Sequence, residues 1–525
     1  MTGPRHDVVV VGSGPSALAS VEAALARGRR VTVIDAGQRV DGVRAAAASL
    51  VRRSSDLTPQ AMFEHLAPVP VARDDAPPDK LLLGSDVPYA TPPAADPVTY
   101  DDVGARASFA LGGLSTVWGA AALPYDRREF ERWPVSFDEL RPHYEAALSL
   151  MPIAGRSDAL HELFSPRPQR LGRLPISSSV ARLLRRASNR RGHLRRVGVS
   201  VGAAQVAVET EGPAGCRQCG FCARGCPYRS IFDAGDRIEQ AHRDGRITYL
   251  SGRVVHSFEE AGGGVALESR PLTGGRSERH VARTVFLATG AMSSTPLLIR
   301  TLGLSEPVDL LDSQYFIAPI VVANPTTDRG SHEIFALSQA FVELDDSRLP
   351  GRLAHMQIYG PNEVVRGGLE ARLGPGRRLP GTLALAGRCV LGMQGFLHSD
   401  LSGRIRWTRN DDDSISARAH RDDAAVDREV RRVLRVLRKA LWRVGAIPLG
   451  PLVDIAAVGR SFHVGGSFPM SRTPGETETD LLGRPAGMSR VHVVDATVLP
   501  TVAATTITLT VMANAARIVS AACSS

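Results

Sequence analysis

Residues 7–37 read DVVVVGSGPSALASVEAALARGRRVTVIDAG, and this stretch decides the fold class of the chain. The four valines predict a buried β-strand, GSGPSA predicts a tight turn, the alanine-rich stretch predicts a helix, and VTVI predicts a second buried strand. Asp35 follows this second strand, at the spacing of about 20 residues from the turn that dinucleotide-binding units use. The stretch therefore predicts a Rossmann-like α/β unit.

The turn between strand and helix is the first candidate binding site, at Gly12, Gly14, Ser16 and Ala17. Small side chains let the backbone approach a pyrophosphate, and the start of the following helix supplies N–H donors. The carboxylate of Asp35 suits a ribose hydroxyl. A turn that serves packing alone is the alternative, and the motif by itself does not separate FAD from NAD.

Composition and charge limit the classes of function. The chain has 525 residues, of which 43% are hydrophobic and 22% charged, enough for two or three domains. Its apolar runs are too short to span a bilayer, and its first residues lack the pattern of a signal peptide, so we expect a cytoplasmic protein. The net charge is +9, but the densest basic stretch, 181–196, has no interleaved aromatic residues. It fits a solvated helix face, so we expect no nucleic-acid partner.

Further blocks of sequence follow in the order of a known family. They are GGLSTVWG at 112–119, FLATGA at 286–291, TPLL at 295–298, HVGGSFPM at 463–470 and VVDATVLPT at 493–501. Together with the N-terminal turn, these blocks resemble the glucose–methanol–choline (GMC) oxidoreductases and span nearly the whole chain. The resemblance decides for FAD as the bound dinucleotide.

The resemblance implies an α/β fold in which a Rossmann-like FAD-binding domain is interleaved with an α+β substrate-binding domain. We expect five segments: 1–135, FAD-binding with the flavin loop 107–121; 136–200, a helical insertion of the substrate domain; 201–305, a second FAD-binding part with the cysteine-rich loop 216–227; 306–455, substrate-binding; and 456–525, the C-terminal FAD-binding part with the catalytic histidine.

The resemblance also implies the site residues. His463 lies in an HxxG turn and is expected to accept the alcohol proton, a task for which imidazole is suited; a hydrogen-bonded turn histidine is the alternative. Family members have a second His or Asn where this chain has Thr506, whose hydroxyl is no strong base. The remaining implied FAD contacts are Gly112, Gly113, Ser115, Thr116, Val255, Asp495, Thr506, Ile507 and Thr508.

The flavin loop also predicts how FAD is held. GGLSTVWG is similar to the corresponding stretch of pyranose oxidases, in which a histidine between Thr and Trp attaches the flavin covalently. Val117 occupies that position here and has no nucleophile. We therefore expect noncovalent FAD.

Four of the six cysteines lie in CRQCGFCARGCP at 216–227. The spacing matches the bacterial ferredoxin run, and some sugar-oxidising GMC dehydrogenases hold an iron–sulfur cluster in a stretch similar to this one. Candidate ligands of a [4Fe–4S] or [3Fe–4S] cluster are Cys216, Cys219, Cys222 and Cys226. A structural thiol loop and a zinc site stay open as alternatives, whereas disulfides are not expected in the cytoplasm.

These observations predict an FAD-dependent enzyme that oxidises the alcohol group of a sugar, a polyol or a hydroxylated natural product. Its partners would be a small-molecule alcohol and, if a cluster carries electrons away, an electron-acceptor protein. Two alternatives remain: a non-redox flavin-containing lyase of the same fold, and a flavin/iron–sulfur electron-transfer subunit.

Overall fold

The computed structural model describes residues 5–42, 44–46, 49, 81–83, 85–174, 176–222, 225–323, 336–361 and 389–524. The strands within these ranges are β1 (Arg5–Val11), β2 (Val31–Ile34), β3 (Val98–Asp101), β4 (Val199–Ala203), β5 (Thr248–Leu250), β6 (Arg253–Ala261), β7 (Gly264–Pro271), β8 (Glu278–Leu287), β9 (Val308–Asp312), β10 (Tyr315–Val322), β11 (Ser338–Asp345), β12 (Leu353–Tyr359), β13 (Val390–Phe396), β14 (Arg404–Arg409), β15 (Ile415–His420), β16 (Ala446–Pro448), β17 (Asp454–Ile455), β18 (Val464–Gly465) and β19 (Val491–Val493). The α-helices are α1 (Pro15–Leu25), α2 (Phe137–Ser149), α3 (Ser178–Asn189), α4 (Arg191–Arg196), α5 (Ala234–Arg243), α6 (Ala291–Leu302), α7 (Asp423–Leu441) and α8 (Thr508–Ser524).

The first sheet forms around the valine-rich N-terminal strand, in the order β5–β2–β1–β8–β7–β6, with β19 added beside β8. Strand β1 pairs in parallel with β2 on one side and with β8 on the other. Val9 and Val10 are fully buried, as a strand covered on both faces requires. The predicted strand–turn–helix–strand unit and the α/β class are thus confirmed.

Both ends of the described chain contribute to this first layer. Residues 285–287 of β8 pair in parallel with β1 on one side and with β19 on the other. Helix α8 packs against α1 and α2. One hydrophobic core therefore joins the first strand to the last helix.

The second sheet is antiparallel, in the order β16–β10–β13–β12–β11–β4, with β17 beside β10. Its outer face is apolar and is covered by α3 and α7, whose side chains share one core with alternate residues of the strands. Because side chains alternate across a strand, the intervening residues point to the opposite face. That face lines a cavity described below.

The third sheet, in the order β18–β9–β14–β15–β3, places the C-terminal HxxG turn. Strand β18 begins at Val464 and pairs antiparallel with the end of β9, so that His463 directly precedes a sheet position. The sheet thereby holds the turn at a defined place.

The predicted division into five segments stays a prediction. The second sheet combines β4, near residue 200, with strands of 306–455, and the third sheet takes up β3 from the N-terminal part. Because the first sheet likewise joins β1 to β19 through β8, segments distant in sequence meet in all three sheets. None of the helices that the structure describes is long and apolar enough to cross a membrane.

Candidate active site

A cavity of about 1050 Å³ lies where the carboxyl end of β1 meets the inner face of the second sheet. The predicted site residues that line it are Gly12, Gly14, Ser16, Asp35, Gly113, Ser115, Val255, His463, Asp495, Thr506, Ile507 and Thr508. Three others, Ala17, Gly112 and Thr116, are buried behind this wall and do not line it. The structure thus brings the nucleotide turn and the HxxG histidine to one cavity.

The nucleotide turn requires glycine at position 12. Gly12 has a φ of +109°, and a Cβ built on it would lie 2.5 Å from the carbonyl oxygen of Ala288, which directly follows the neighbouring strand β8. Gly14 is the N-cap residue of α1, with Pro15 as the first helical residue. The start of α1 lines the cavity through Gly14, Pro15 and Ser16, so its N–H groups suit a phosphate there.

Asp35 lies at the carboxyl end of β2, where a ribose-binding carboxylate is expected. Burial raises the pKa of Asp35 to about 6, against the opposing effect of hydrogen bonds that include one from the Tyr249 hydroxyl, 3.1 Å from Oδ2. A sugar hydroxyl donating to this carboxylate would add a further partner.

The flavin loop is clamped between the nucleotide turn and helix α5. The Gly112 N–H donates to Oγ of Ser13 at 2.9 Å. The Ser115 hydroxyl donates to the Gly112 carbonyl at 2.6 Å and accepts from the Ala234 N–H at 3.0 Å. The side chain of Ser115 therefore holds the loop in place, and this loop-holding role was not predicted from the sequence.

An ion pair supports this clamp from behind. Asp233, the N-cap residue of α5, lies 2.6 Å from the guanidinium of Arg44, and both side chains are buried. A Cβ at Gly112 would overlap the Asp233 carboxylate, so the loop needs glycine at this point. The clamp fixes the loop wall of the cavity.

Asp495 organises the third wall. Its carboxylate accepts from the Gly290 N–H at 2.8 Å and from the Thr497 N–H at 3.0 Å. Burial raises the pKa of Asp495, while these hydrogen bonds and one from Ser294 oppose the shift. The side chain thus joins the turn after β8 to the turn after β19.

His463 presents a neutral imidazole to the cavity. Burial lowers its pKa to about 3, and the nearby His355 imidazole adds to that effect. Its Nδ1 is buried without a hydrogen-bond partner among the described residues, so Nε2 is the nitrogen left to face the cavity. The ring stacks on Phe396, with centroids 4.8 Å apart and planes at 22°.

The backbone of His463 is held by a buried carboxylate. The His463 N–H donates to Oγ of Ser461 at 2.9 Å, and the Ser461 hydroxyl donates to Asp312 at 2.8 Å. Asp312 also accepts from the Gly459 N–H at 3.0 Å, and burial raises its pKa to about 6. These contacts orient the ring without occupying either ring nitrogen.

Thr506 has part of its hydrogen-bonding capacity in use. Its Oγ1 accepts from the Leu123 N–H at 3.1 Å. The hydroxyl proton remains for donation, and Thr506 lines the cavity. The side chain suits a donor to a substrate or flavin oxygen better than a base.

Sequence reasoning missed the polar face of the second sheet. His355, Gln357 and Tyr359 alternate on β12, and Gln394 and Phe396 alternate on β13; all but His355 line the cavity. The predicted substrate segment 306–455 contains these residues without singling them out. The polar alternation in HMQIY was the available signal.

The cysteine-rich loop packs beside the flavin loop. Phe221 and Val117 belong to one small hydrophobic cluster, against which Cys219 and Phe462 also pack. All six cysteines are free thiols, and burial raises the pKa of Cys219 to about 11.

The structure gives no support to the predicted iron–sulfur cluster. Among the described residues, no three His, Cys, Asp or Glu side chains are grouped so that they could hold a metal ion. The ligand assignment to the four cysteines stays a prediction, which iron and acid-labile sulfide assays on anaerobically purified protein would test.

Comparison with known proteins supports the family resemblance. Residues 400–515 match the family model of the GMC oxidoreductase C-terminal region. The fold is similar to that of pyridoxine 4-oxidase from Mesorbium loti, with a TM-score of 0.59 and 15% sequence identity over 98% of each chain. No curated protein sequence matches this chain.

Proposed function

We propose that this chain, which the family match identifies as a GMC oxidoreductase and hence as an FAD-dependent enzyme acting on CH–OH groups, uses His463 to accept the proton of its alcohol. The observation that carries the proposal is the position of a neutral, cavity-facing imidazole in the same cavity as the dinucleotide turn. We propose as substrates a sugar, a polyol or a hydroxylated natural product.

The cavity fits FAD on the chemistry of its walls. Gly12, where a Cβ would clash with the neighbouring backbone, and the start of α1 suit a pyrophosphate. The carboxylate of Asp35 suits a ribose. Val255, Asp495 and the turn at Thr506–Thr508 complete the proposed contacts. Val117 offers no nucleophile to the cofactor, which we propose is held without a covalent bond.

When bound, FAD supplies the acceptor for the hydride that leaves the carbinol carbon. His463 takes the hydroxyl proton at Nε2, because Nδ1 is enclosed by protein. Phe396 holds the ring from one face, and Ser461 holds its backbone. Thr506 donates to an oxygen in the cavity and takes no proton itself.

The similarity to a protein named pyridoxine 4-oxidase supports a small-molecule alcohol as substrate. We propose that the electrons pass either to oxygen or, in the other case, to a quinone or an acceptor protein. Reoxidation of substrate-reduced enzyme by air separates the two, since an oxidase recovers its flavin absorbance within the turnover time.

The test is anaerobic addition of alcohols to FAD-loaded protein, read as loss of the flavin absorbance band. We expect His463→Asn to keep the bound FAD and to lose about 10²- to 10⁴-fold in the reduction rate, the usual contribution of a general base. Equal rates of flavin reduction in the variant and the parent would show that His463 is not the proton acceptor. Absence of bleaching with every alcohol would favour a lyase.

A further inference from the structure

His463 acquires a positive charge in the proposed reaction, because a neutral imidazole that takes the alcohol proton becomes an imidazolium. The surroundings of the ring oppose that charge: burial lowers the pKa of His463, and the nearby His355 imidazole adds to the effect. Within the part of the chain that the structure describes, Nδ1 finds neither a carboxylate nor any other hydrogen-bond partner. A buried charge without a partner is costly, so the stacked neighbour of the imidazole becomes important.

Phe396 is that neighbour, and it lines the same cavity. The centroids of the Phe396 and His463 rings lie 4.8 Å apart and their planes meet at 22°, so the two ring faces lie against each other. The face of a phenyl ring carries the negative end of its quadrupole and attracts a cation within about 6 Å of the centroid. An imidazolium gains more from this field than a neutral imidazole does. The contact therefore favours the state of His463 that forms when the proton arrives.

A row of side chains across the second sheet holds Phe396 in this position. Four directly paired positions on neighbouring strands carry Tyr315, Phe396, His355 and Glu343. Such paired residues point to one face of a sheet. Stacked rings flank Phe396 on both sides, with centroid distances of 5.7 Å to Tyr315 and 6.0 Å to His355. Oε1 of Glu343 lies 2.7 Å from Nδ1 of His355 and fixes that ring in turn. The phenyl face is thus in place before the charge forms.

We propose that Phe396 is a positioning residue of the reaction, whose ring face stabilises the imidazolium that forms on His463. The inference rests on the proposed function, since only a proton acceptor acquires this charge. The charge develops as the proton is transferred, so the contact contributes to the transition state and not to the binding of the alcohol. The rate of flavin reduction at saturating alcohol should therefore depend on the phenyl face, and the half-saturating alcohol concentration should not.

Fluorinated phenylalanines incorporated at position 396 test this role with little change in the shape of the ring. 4-Fluoro-, 3,5-difluoro- and 3,4,5-trifluorophenylalanine withdraw electron density stepwise from the ring face. We expect the anaerobic rate of flavin reduction at saturating alcohol to fall at each step, by about two- to thirtyfold over the series, the range of a cation–π contact. Phe396→Leu, which keeps apolar bulk without a ring face, should resemble the trifluorinated protein.

Two controls separate the field of the ring from its packing. The same series at Phe341 places fluorine on a buried ring of the same sheet, which meets His355 edge-on with centroids 4.9 Å apart. The rate should not change along that series. In the His463→Asn background, the side chain at 463 takes no positive charge, so fluorine at position 396 should leave the remaining rate unaltered.

The outcomes distinguish this inference from the proposed function. Equal rates along the series at Phe396, in protein whose flavin the alcohol reduces, would overturn the role of the ring and leave the proposed oxidation intact. A fall of the same size along the Phe341 series, or in His463→Asn, would also overturn it, because the effect would not pass through the charge on His463. Absence of flavin reduction with every alcohol would remove the proposed function, and this inference with it.

Discussion

At the scale of single residues, the site depends on an imidazole that the protein keeps neutral. His463 gains no carboxylate partner at Nδ1 among the residues described, and its orientation comes from a ring stack and a backbone contact. A base of this kind accepts a proton without first having to lose one. The availability of His463 as a base therefore depends on the burial of its ring, which keeps the imidazole neutral.

Burial of His463 predicts the pH dependence of the reaction. With its pKa lowered from 6.5 to about 3, the ring stays unprotonated throughout the range from about pH 5 to pH 8. The anaerobic rate of flavin reduction should then show no acid limb near pH 6.5. Such a limb, absent from His463→Asn, would contradict the neutral ring.

The same shift affects stability. Between pH 6.5 and about 3, an unfolded chain binds a proton at this histidine that the folded chain does not. The contribution of His463 therefore makes folding less favourable as the pH falls through this window.

Val117 predicts that FAD leaves the protein on denaturation. The residue is 5% exposed and lines the cavity with an aliphatic side chain that forms no bond to a flavin carbon. Acid precipitation of the holoprotein should release all yellow colour to the supernatant. Colour retained in the pellet after washing would show a covalent link at another residue.

For single residues, the sequence predicted which residues belong to the site better than it predicted their hydrogen-bond partners. His463 and Asp35 could be chosen because a motif names them. The hydroxyls of Ser115 and Thr506 are engaged by Ala234 and Leu123, 119 and 383 residues away in sequence, and such partners are not visible in a local pattern.

At the scale of elements, the N-terminal turn is the part most fully determined by local sequence. The strand, glycine turn and helix follow from hydrophobic runs and small residues within 37 positions. The antiparallel second sheet is different, because some of its short strands pair although many residues separate them in the sequence, as β4 and β11 do. Its inner polar face becomes evident only once β10, β12 and β13 lie side by side.

Replacing Gly12 tests the turn directly. In Gly12→Ala, the new methyl carbon would lie 2.5 Å from the Ala288 carbonyl oxygen, so the turn must move away from the position that FAD requires. We expect purification of the variant with less than about a tenth of the parent's flavin content, a loss of at least 1.4 kcal/mol in binding.

A glycine elsewhere supplies the control for this variant. Gly192 lies in helix α4, and a Cβ there meets nothing within 4 Å. Gly192→Ala should keep its full flavin content and gain slightly in stability. Full flavin content in Gly12→Ala would contradict the close approach at the turn.

At the scale of the whole molecule, the cavity belongs to no single sheet. Its walls come from the turn after β1, the flavin loop, the inner face of the second sheet and the turn before β18. The family resemblance predicted two interleaved domains around FAD. It could not predict that the cysteine-rich loop would pack beside the flavin loop, since that contact depends on how Phe221 and Val117 meet in space.

A cavity shared by several layers predicts a strong effect of FAD on unfolding. FAD bound only by the folded protein should add about 2.7 kcal/mol to the free energy of unfolding at a hundredfold excess over its Kd. The thermal midpoint of flavin-free protein should therefore rise with added FAD. In Gly12→Ala the midpoint should not respond to the same additions, and an equal response would show that FAD binds elsewhere.

The parallel neighbours of β8 are β1, near residue 8, and β19, near residue 492. During synthesis, β19 is therefore translated more than 470 residues after β1 and the nucleotide turn. A nascent chain must therefore carry an exposed edge of β8 until β19 has been made. We expect FAD to bind stably only after that strand has been made, because Asp495 and the turn at Thr506–Thr508, which line the cavity, follow it in the sequence.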